Sequence, residues 1–164
     1  TPCPCGYYNH PDRVCQCGSA IVKKYLNRIS GPLMDRIDIH IEIVPVPFEE
    51  LAEKREAEKS EIIRKRVIAA RQIQSERFRK IPGVYSNSQM NSKMLRSFCK
   101  LNDPGIRILR NAMEKLGLSA RAYDRILKVT RTISDLENEN DILAHHISEA
   151  INYRNLDRES WAEN

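Results

Sequence analysis

The sequence predicts a mainly α-helical chain in two parts: an N-terminal fragment of one helix, one strand and a cysteine-rich loop, then an all-α region. Three observations carry that prediction. Apolar residues recur at helical spacing, separated by capping and stop residues, from about residue 60 to residue 153. Strict alternation marks Ile37, Ile39, Ile41 and Ile43, with Asp38, His40 and Glu42 on the other side. Four of the five cysteines fall within the first 17 residues.

Each element has its own reason. Residues 1–18 hold Pro2, Pro4, Gly6, Pro11 and Gly18 and read as loop. Ser19 caps a helix through Ile29, with Ile21, Tyr25, Leu26 and Ile29 at helical spacing. Gly31-Pro32 ends it, and the strand over 37–44 follows. Pro45 and Pro47 in "VPVPFEEL" forbid both helix and central strand and mark the domain boundary. From about 49 to 79 Glu, Lys, Arg and Ala dominate, with Ile62, Ile63, Val67, Ala70, Ile73 and Phe78 as a weak apolar stripe. That predicts a long, largely exposed helix from about Ser60, its Glu58, Glu61, Arg64 and Lys65 forming a solvated face.

"KIPGVYSNSQ" breaks the helix, and Asn91 or Ser92 begins a short one carrying Leu95, Phe98 and Cys99. Asp103-Pro104 is a cap followed by a first-turn proline. Ile106, Leu109, Met113 and Leu116 line one face of that helix, and Gly117 closes it. Ser119 caps a helix over about 120–136, with Tyr123, Ile126, Leu127, Val129, Thr130 and Ile133 inside. After the polar bend "ENEND" comes a last helix with His146, Ile147, Ala150, Ile151 and Tyr153. The chain thus divides into 1–47, a charged linker helix over 48–90, and a helical domain over 91–164. A lone strand is not stable by itself, so residues 19–44 read as the trailing piece of a sheet whose other strands lie elsewhere.

Lys plus Arg number 27 against 22 acids, a net charge of +5, which tolerates a phosphate-bearing partner without requiring one. No apolar run approaches the roughly 18 residues of a membrane span, and the opening residues do not form a signal peptide. The expectation is a cytoplasmic protein with no membrane partner.

Cys3, Cys5, Cys15 and Cys17 are spaced C-x-C-x9-C-x-C. Two close thiolate pairs on a folded loop supply the four soft ligands of a structural zinc, with no position left open for catalysis. C-x-C pairs are less specific than wider ones, His10 is a substitute ligand, and free thiols on a loop satisfy the same spacing. Cys99, alone in a helical stretch, reads as core packing. Two arginines stand at element ends. Arg36 precedes the strand, and Arg121 lies in the first turn of a helix, where it opposes the dipole and needs an anion to justify it. Phosphate is such an anion. Surface ion pairs are the alternative, Arg36 with Asp35 or Asp38 and Arg121 with Asp124 or Glu114. A rival reading makes residues 104–136 a helix-turn-helix of a zinc-containing DNA-binding module, Arg121 and Arg125 meeting bases or phosphates. Against it, the second helix has an apolar middle. Arg71, Arg77, Arg79 and Lys80 form a basic helix end, and His145-His146 has no carboxylate at ligand spacing.

The segments "PCPCGYYNHPDRVCQC", "YLNRISGPLMDRIDIHIEI", "VPFEEL", "LGLSARAYDRILKVTRTISDLE" and "HHISEAINYRNLDR" together resemble the magnesium chelatase-like AAA+ ATPases of bacteria, of the competence protein M type. The similarity runs over almost the whole chain and corresponds to the C-terminal third of such a protein. It implies that residues 1–47 are the end of an AAA+ core and 91–164 its helical lid. It implies Arg36 as an arginine finger acting in trans and Arg121 as the sensor-2 arginine touching nucleotide phosphate. It implies a ring of copies, a hexamer in the whole protein, with ATP and Mg as cofactors and DNA as partner. The chain has no G-x-x-x-x-G-K-[ST] and no apolar run ending in paired acids, so the ATP site itself would lie outside it, and the chain alone should be inactive. Thr1 stands where the family generally has the sensor-1 Asn, so no such role is carried onto it.

Overall fold

The computed structural model describes residues 3–8, 10–41, 43, 46 and 57–154. Thr1, Glu42 and the prolines at 45 and 47 lie outside the described residues, and with them the expected boundary. Among the described residues seven helices follow in order: α1 (Ser19–Leu26), α2 (Gly31–Met34), α3 (Ser60–Phe78), α4 (Ser92–Phe98), α5 (Asp103–Leu116), α6 (Ala120–Leu136) and α7 (Ala144–Asn152), with a 3-10 turn at Asn87–Gln89.

The boundaries of the later helices follow from local chemistry. Asn91 accepts from the Met94 N–H at 3.0 Å and starts α4. α5 is capped by Asn102, whose side chain accepts from the Gly105 N–H at 2.9 Å, so Asp103 enters the first turn beside Pro104. Gly117, at φ 59, closes α5 in the left-handed conformation that costs glycine nothing. Ser119 then caps α6 through the Ala122 N–H at 3.1 Å.

α6 is the central helix. It packs against α7, α3, α4 and the 3-10 turn, and α5 packs against α7. Phe78, Met90, Leu95, Cys99, Leu109, Ile126, Leu127, Ile133, Ile142, Ile147 and Ala150 make one core, so Cys99 is a packing residue as expected. α5 and α7 approach closely at Gly105, where an added Cβ would lie 2.5 Å from Ile147 Cδ1. The C-terminal half of α3 belongs to this bundle through Ala70, Gln74 and Phe78, while Ile62, Ile63 and Val67 remain exposed.

The core also holds charge. Asp135, 1% exposed, receives hydrogen bonds from both Arg77 nitrogens (Arg77 Nη1 at 2.7 Å), from Asn87 Nδ2 at 2.8 Å and from Arg131 Nε at 3.1 Å. Arg131 also donates to Ser134 Oγ and to the carbonyls of Glu139 and Asn140 at 2.6–2.8 Å. Burial pushes the Asp135 carboxyl upward, but the hydrogen bonds from Arg77 and Asn87 and the two guanidinium charges outweigh it and hold it below its ordinary value. Arg77 is therefore an internal partner of the bundle rather than part of a free basic end. The network ties α3, the 3-10 turn and the α6–α7 turn to one carboxylate.

The N-terminal part departs from expectation in three places. α1 is capped by Gly18 rather than Ser19, and buries Val22 and Leu26 against the cysteine loop, leaving Ile21 and Ile29 outside. Gly31-Pro32 does not simply stop a helix; it opens the short α2, proline suiting a first turn. The strand over 37–44 does not form among the described residues, where the sole β pairing is an isolated bridge between Leu101 and Ile142. Ile37, Ile39, Ile41 and Ile43 are 40, 46, 68 and 88% exposed, an apolar row without a sheet partner. The physical reason is that a strand exists only by exchanging backbone hydrogen bonds with a neighbour, and among the described residues no neighbouring strand is offered.

Candidate functional site

The four loop cysteines converge. Cys3 Sγ lies 3.3 Å from Cys5 and 3.7 Å from Cys15, Cys5 lies 3.5 Å from Cys15, and all four sulfurs including Cys17 fall within 4.8 Å of one another. None is in a disulfide. An ion about 2.3 Å from each of four thiolates would set them about 3.8 Å apart, so the donor set fits a tetrahedral soft metal. The Tyr7 backbone N–H and the Cys3 thiol bring Cys5 down to about 6. The Cys17 backbone draws Cys15 down, but desolvation and the neighbouring Cys5 and Cys3 sulfurs leave it pushed up to about 12. Four thiols so crowded cannot all ionise without a cation among them. His10 does not join the four sulfurs gathered within 4.8 Å, and its Nδ1 accepts from the Asp12 N–H at 3.1 Å inside its own turn.

Arg36 is exposed at the end of α2, its Nη1 donating to the Pro32 carbonyl at 2.5 Å. The expected ion pairs do not form. Asp38 is taken by Arg125, 87 positions away, and Asp35 stands 3.9 Å from Arg154 Nη2. Among the described residues no carboxylate pairs with Arg36. Arg121, in the first turn of α6, is likewise exposed, and among the described residues no ion pair joins it to Asp124 or Glu114. The rest of α6 is deeply committed: Ile126, Leu127, Thr130, Arg131, Ile133, Ser134 and Asp135 are buried and Arg125 is paired, leaving little of it to lie in a DNA groove. Of the other basic residues at the end of α3, Arg71 donates to Gln74 at 2.9 Å and Arg79 pairs with Glu76 at 3.5 Å.

A carboxylate does reach the histidine pair, contrary to the sequence expectation. Glu137 Oε2, at the end of α6, lies 2.9 Å from His145 Nε2 and 3.0 Å from His146 Nε2. Two histidines and a carboxylate suggest a metal set, but hydrogen bonding argues otherwise. The Leu143 N–H donates to His146 Nδ1 at 2.9 Å, so the proton of the neutral ring sits on Nε2 and is donated to Glu137. A metal on that nitrogen would strip the ring of its last proton, opposite to the usual arrangement behind a histidine ligand. The trio staples α7 to the end of α6. Glu137, nine positions before His146, was missed because the contact crosses a turn rather than a helix face. Arg154 was missed as well, and Arg125, a DNA contact in the helix-turn-helix reading, pairs with Asp38 instead; nothing periodic links either arginine to residues near 36.

Known proteins similar to this chain identify its family. The family model described as magnesium chelatase, subunit ChlI C-terminal, matches residues 57–154, and that described as magnesium chelatase, subunit ChlI, matches residues 1–51. Competence protein ComM of Haemophilus influenzae is 42% identical over 158 residues, 96% of this chain and 30% of that protein. The uncharacterized protein YifB of Escherichia coli is 38% identical over 161 residues, with the same two shares. An uncharacterized protein of Mycobacterium tuberculosis is 28% identical over 153 residues, 93% of this chain and 30% of the relative. The chain thus spans about 30% of the length of these curated relatives.

Proposed function

Because the chain belongs to the magnesium chelatase subunit ChlI family, we propose that it is the C-terminal part of a hexameric AAA+ ATPase acting on DNA. The action is branch migration or a helicase-like step in natural transformation or recombination. ATP and Mg are bound by the portion outside this chain. Arg36 is the arginine finger, delivered to a neighbouring subunit's ATP, and Arg121 is the sensor-2 arginine touching a phosphate. The observation that carries this reading is the exposure of Arg36 and, among the described residues, the absence of a carboxylate paired with it: the two nearby acids, Asp35 and Asp38, are turned toward other arginines. A guanidinium kept exposed and unneutralised is suited to the charge that spreads over a transferring phosphoryl group. Arg121 adds its fork to the free N–H groups at the start of α6, a combination that favours phosphate. Structural zinc in Cys3, Cys5, Cys15 and Cys17 holds the loop against α1. The DNA part rests on the net charge of +5 and on similarity to a protein named for competence.

ATP hydrolysis by the whole protein, wild type against Arg36→Ala at saturating nucleotide, tests the reading. The expected result is a kcat lowered about 10³-fold or more with nucleotide affinity kept. Unchanged turnover would return Arg36 to an ordinary surface arginine.

A further inference from the structure

The segment around Arg36 has no ladder of its own, yet it is held at four points. Asp35 faces Arg154 Nη2 at 3.9 Å, the Ile37 carbonyl accepts from Arg154 Nη1, Asp38 pairs with Arg125 Nη1, and the His40 N–H donates to the Tyr153 carbonyl at 2.7 Å. All four contacts go to the helical bundle, to α6 through Arg125 and to the exit of α7 through Tyr153 and Arg154. Arg154 is fully buried, an unusual place for a guanidinium unless it is bonded in position. Arg36 sits between the contacts at 35 and 37 and is the residue they leave facing solvent. Arg121 lies four residues before Arg125, on the same face of α6.

We propose that Arg125 and Arg154 are positioning residues that clamp the Arg36 segment to the lid, so that Arg36 and Arg121 travel as one rigid body to the phosphates. The inference rests on the proposed roles of those two arginines and adds what orients them. An extended segment keeps its backbone freedom unless something outside it removes that freedom. A finger that must meet a phosphoryl group to within about 1 Å needs such a support. Coupling through Asp38–Arg125 would also make the lid's position set the finger's position, so that a lid movement on nucleotide exchange would withdraw both together.

The test uses the whole protein and the partly exposed pair, which can be altered without opening the core: Arg125→Asp, Asp38→Arg and the double charge swap, beside Arg36→Ala. Hydrogen exchange of the segment 35–40 reads the clamp, and kcat with nucleotide affinity reads the positioning. Each single variant is expected to speed exchange of the His40 amide and to lower kcat about a hundredfold at unchanged nucleotide affinity, and the swap to restore both. Unchanged exchange in the single variants would overturn the clamp. Faster exchange with normal kcat, while Arg36→Ala is inactive, would overturn the positioning role alone. Normal kcat in Arg36→Ala would overturn the finger reading and the positioning role with it.

Discussion

The helical bundle over 57–154 and the fragment over 3–40 treat their charges in opposite ways. In the bundle Asp135 is enclosed by Arg77, Arg131 and Asn87, and every bond of that network ends on another bundle residue. In the fragment Arg36 is exposed, and four isoleucines show their side chains to solvent. The first region closes its buried carboxylate within itself. The other is held by its cysteine cluster and by bonds to the bundle through Arg125, Tyr153 and Arg154.

Metal removal should separate the two regions most sharply. Structural zinc contributes about 10–16 kcal/mol in small zinc domains, so chelation, or Cys15→Ser, should release the loop from Val22 and Leu26 altogether. Circular dichroism should show the bundle's melting transition unmoved. Zinc-to-protein stoichiometry by elemental analysis checks the same point, with one ion per chain expected and none in Cys15→Ser.

Asp135→Ala should act in the opposite direction. It leaves Arg77 and Arg131 facing each other without their counter-ion, a loss of about 3–5 kcal/mol by denaturant unfolding. Arg36→Ala should leave that unfolding curve where it was while removing turnover. If both substitutions destabilise equally, the contrast between the regions fails.

Gly105→Ala probes the packing of the bundle alone. Overpacking against Ile147 costs about 1–3 kcal/mol and helix propensity returns about 1, a net loss of roughly 1 kcal/mol, visible as a lowered Tm. The mildest expected effect is on pH dependence. Folding lowers the pKa of Asp135, so its contribution is fully present above its ordinary value of 3.8 and is lost as pH falls through the folded value. Unfolding free energies of wild type and Asp135→Asn should therefore keep their difference as pH is lowered from 7 to about 3.8 and converge only below it.

Much of the bundle is legible in the sequence because its signals are local. Ser119, Gly117 and Asn91 act on amides one turn away, so their residue types mark helix ends directly. Asp103 was one residue off for the same reason: the Asn102 amide competes for the cap and wins. The cysteine pairs were legible because metal chemistry restricts which side chains can gather. The clamp around Arg36 was not. Its bonds join residues 87 and 117 positions apart, and the local alternatives, Arg36 with Asp35 or Asp38, are equally good by spacing.

By itself, then, the sequence determined the helices of the bundle, the cysteine set and the family, all readable from periodicity, caps and motifs that act within a few residues. Only the tertiary structure decided where the charges go. It turned Asp38 toward Arg125 and buried Arg154 under the segment it holds, and it left Arg36 outside. Among the described residues it also left the alternating isoleucines without a ladder, because alternation states that a segment can be a strand while a ladder requires a second chain segment at hydrogen-bonding distance. Ion pairing has no period and no preferred separation along the chain, so its partners are chosen by the fold.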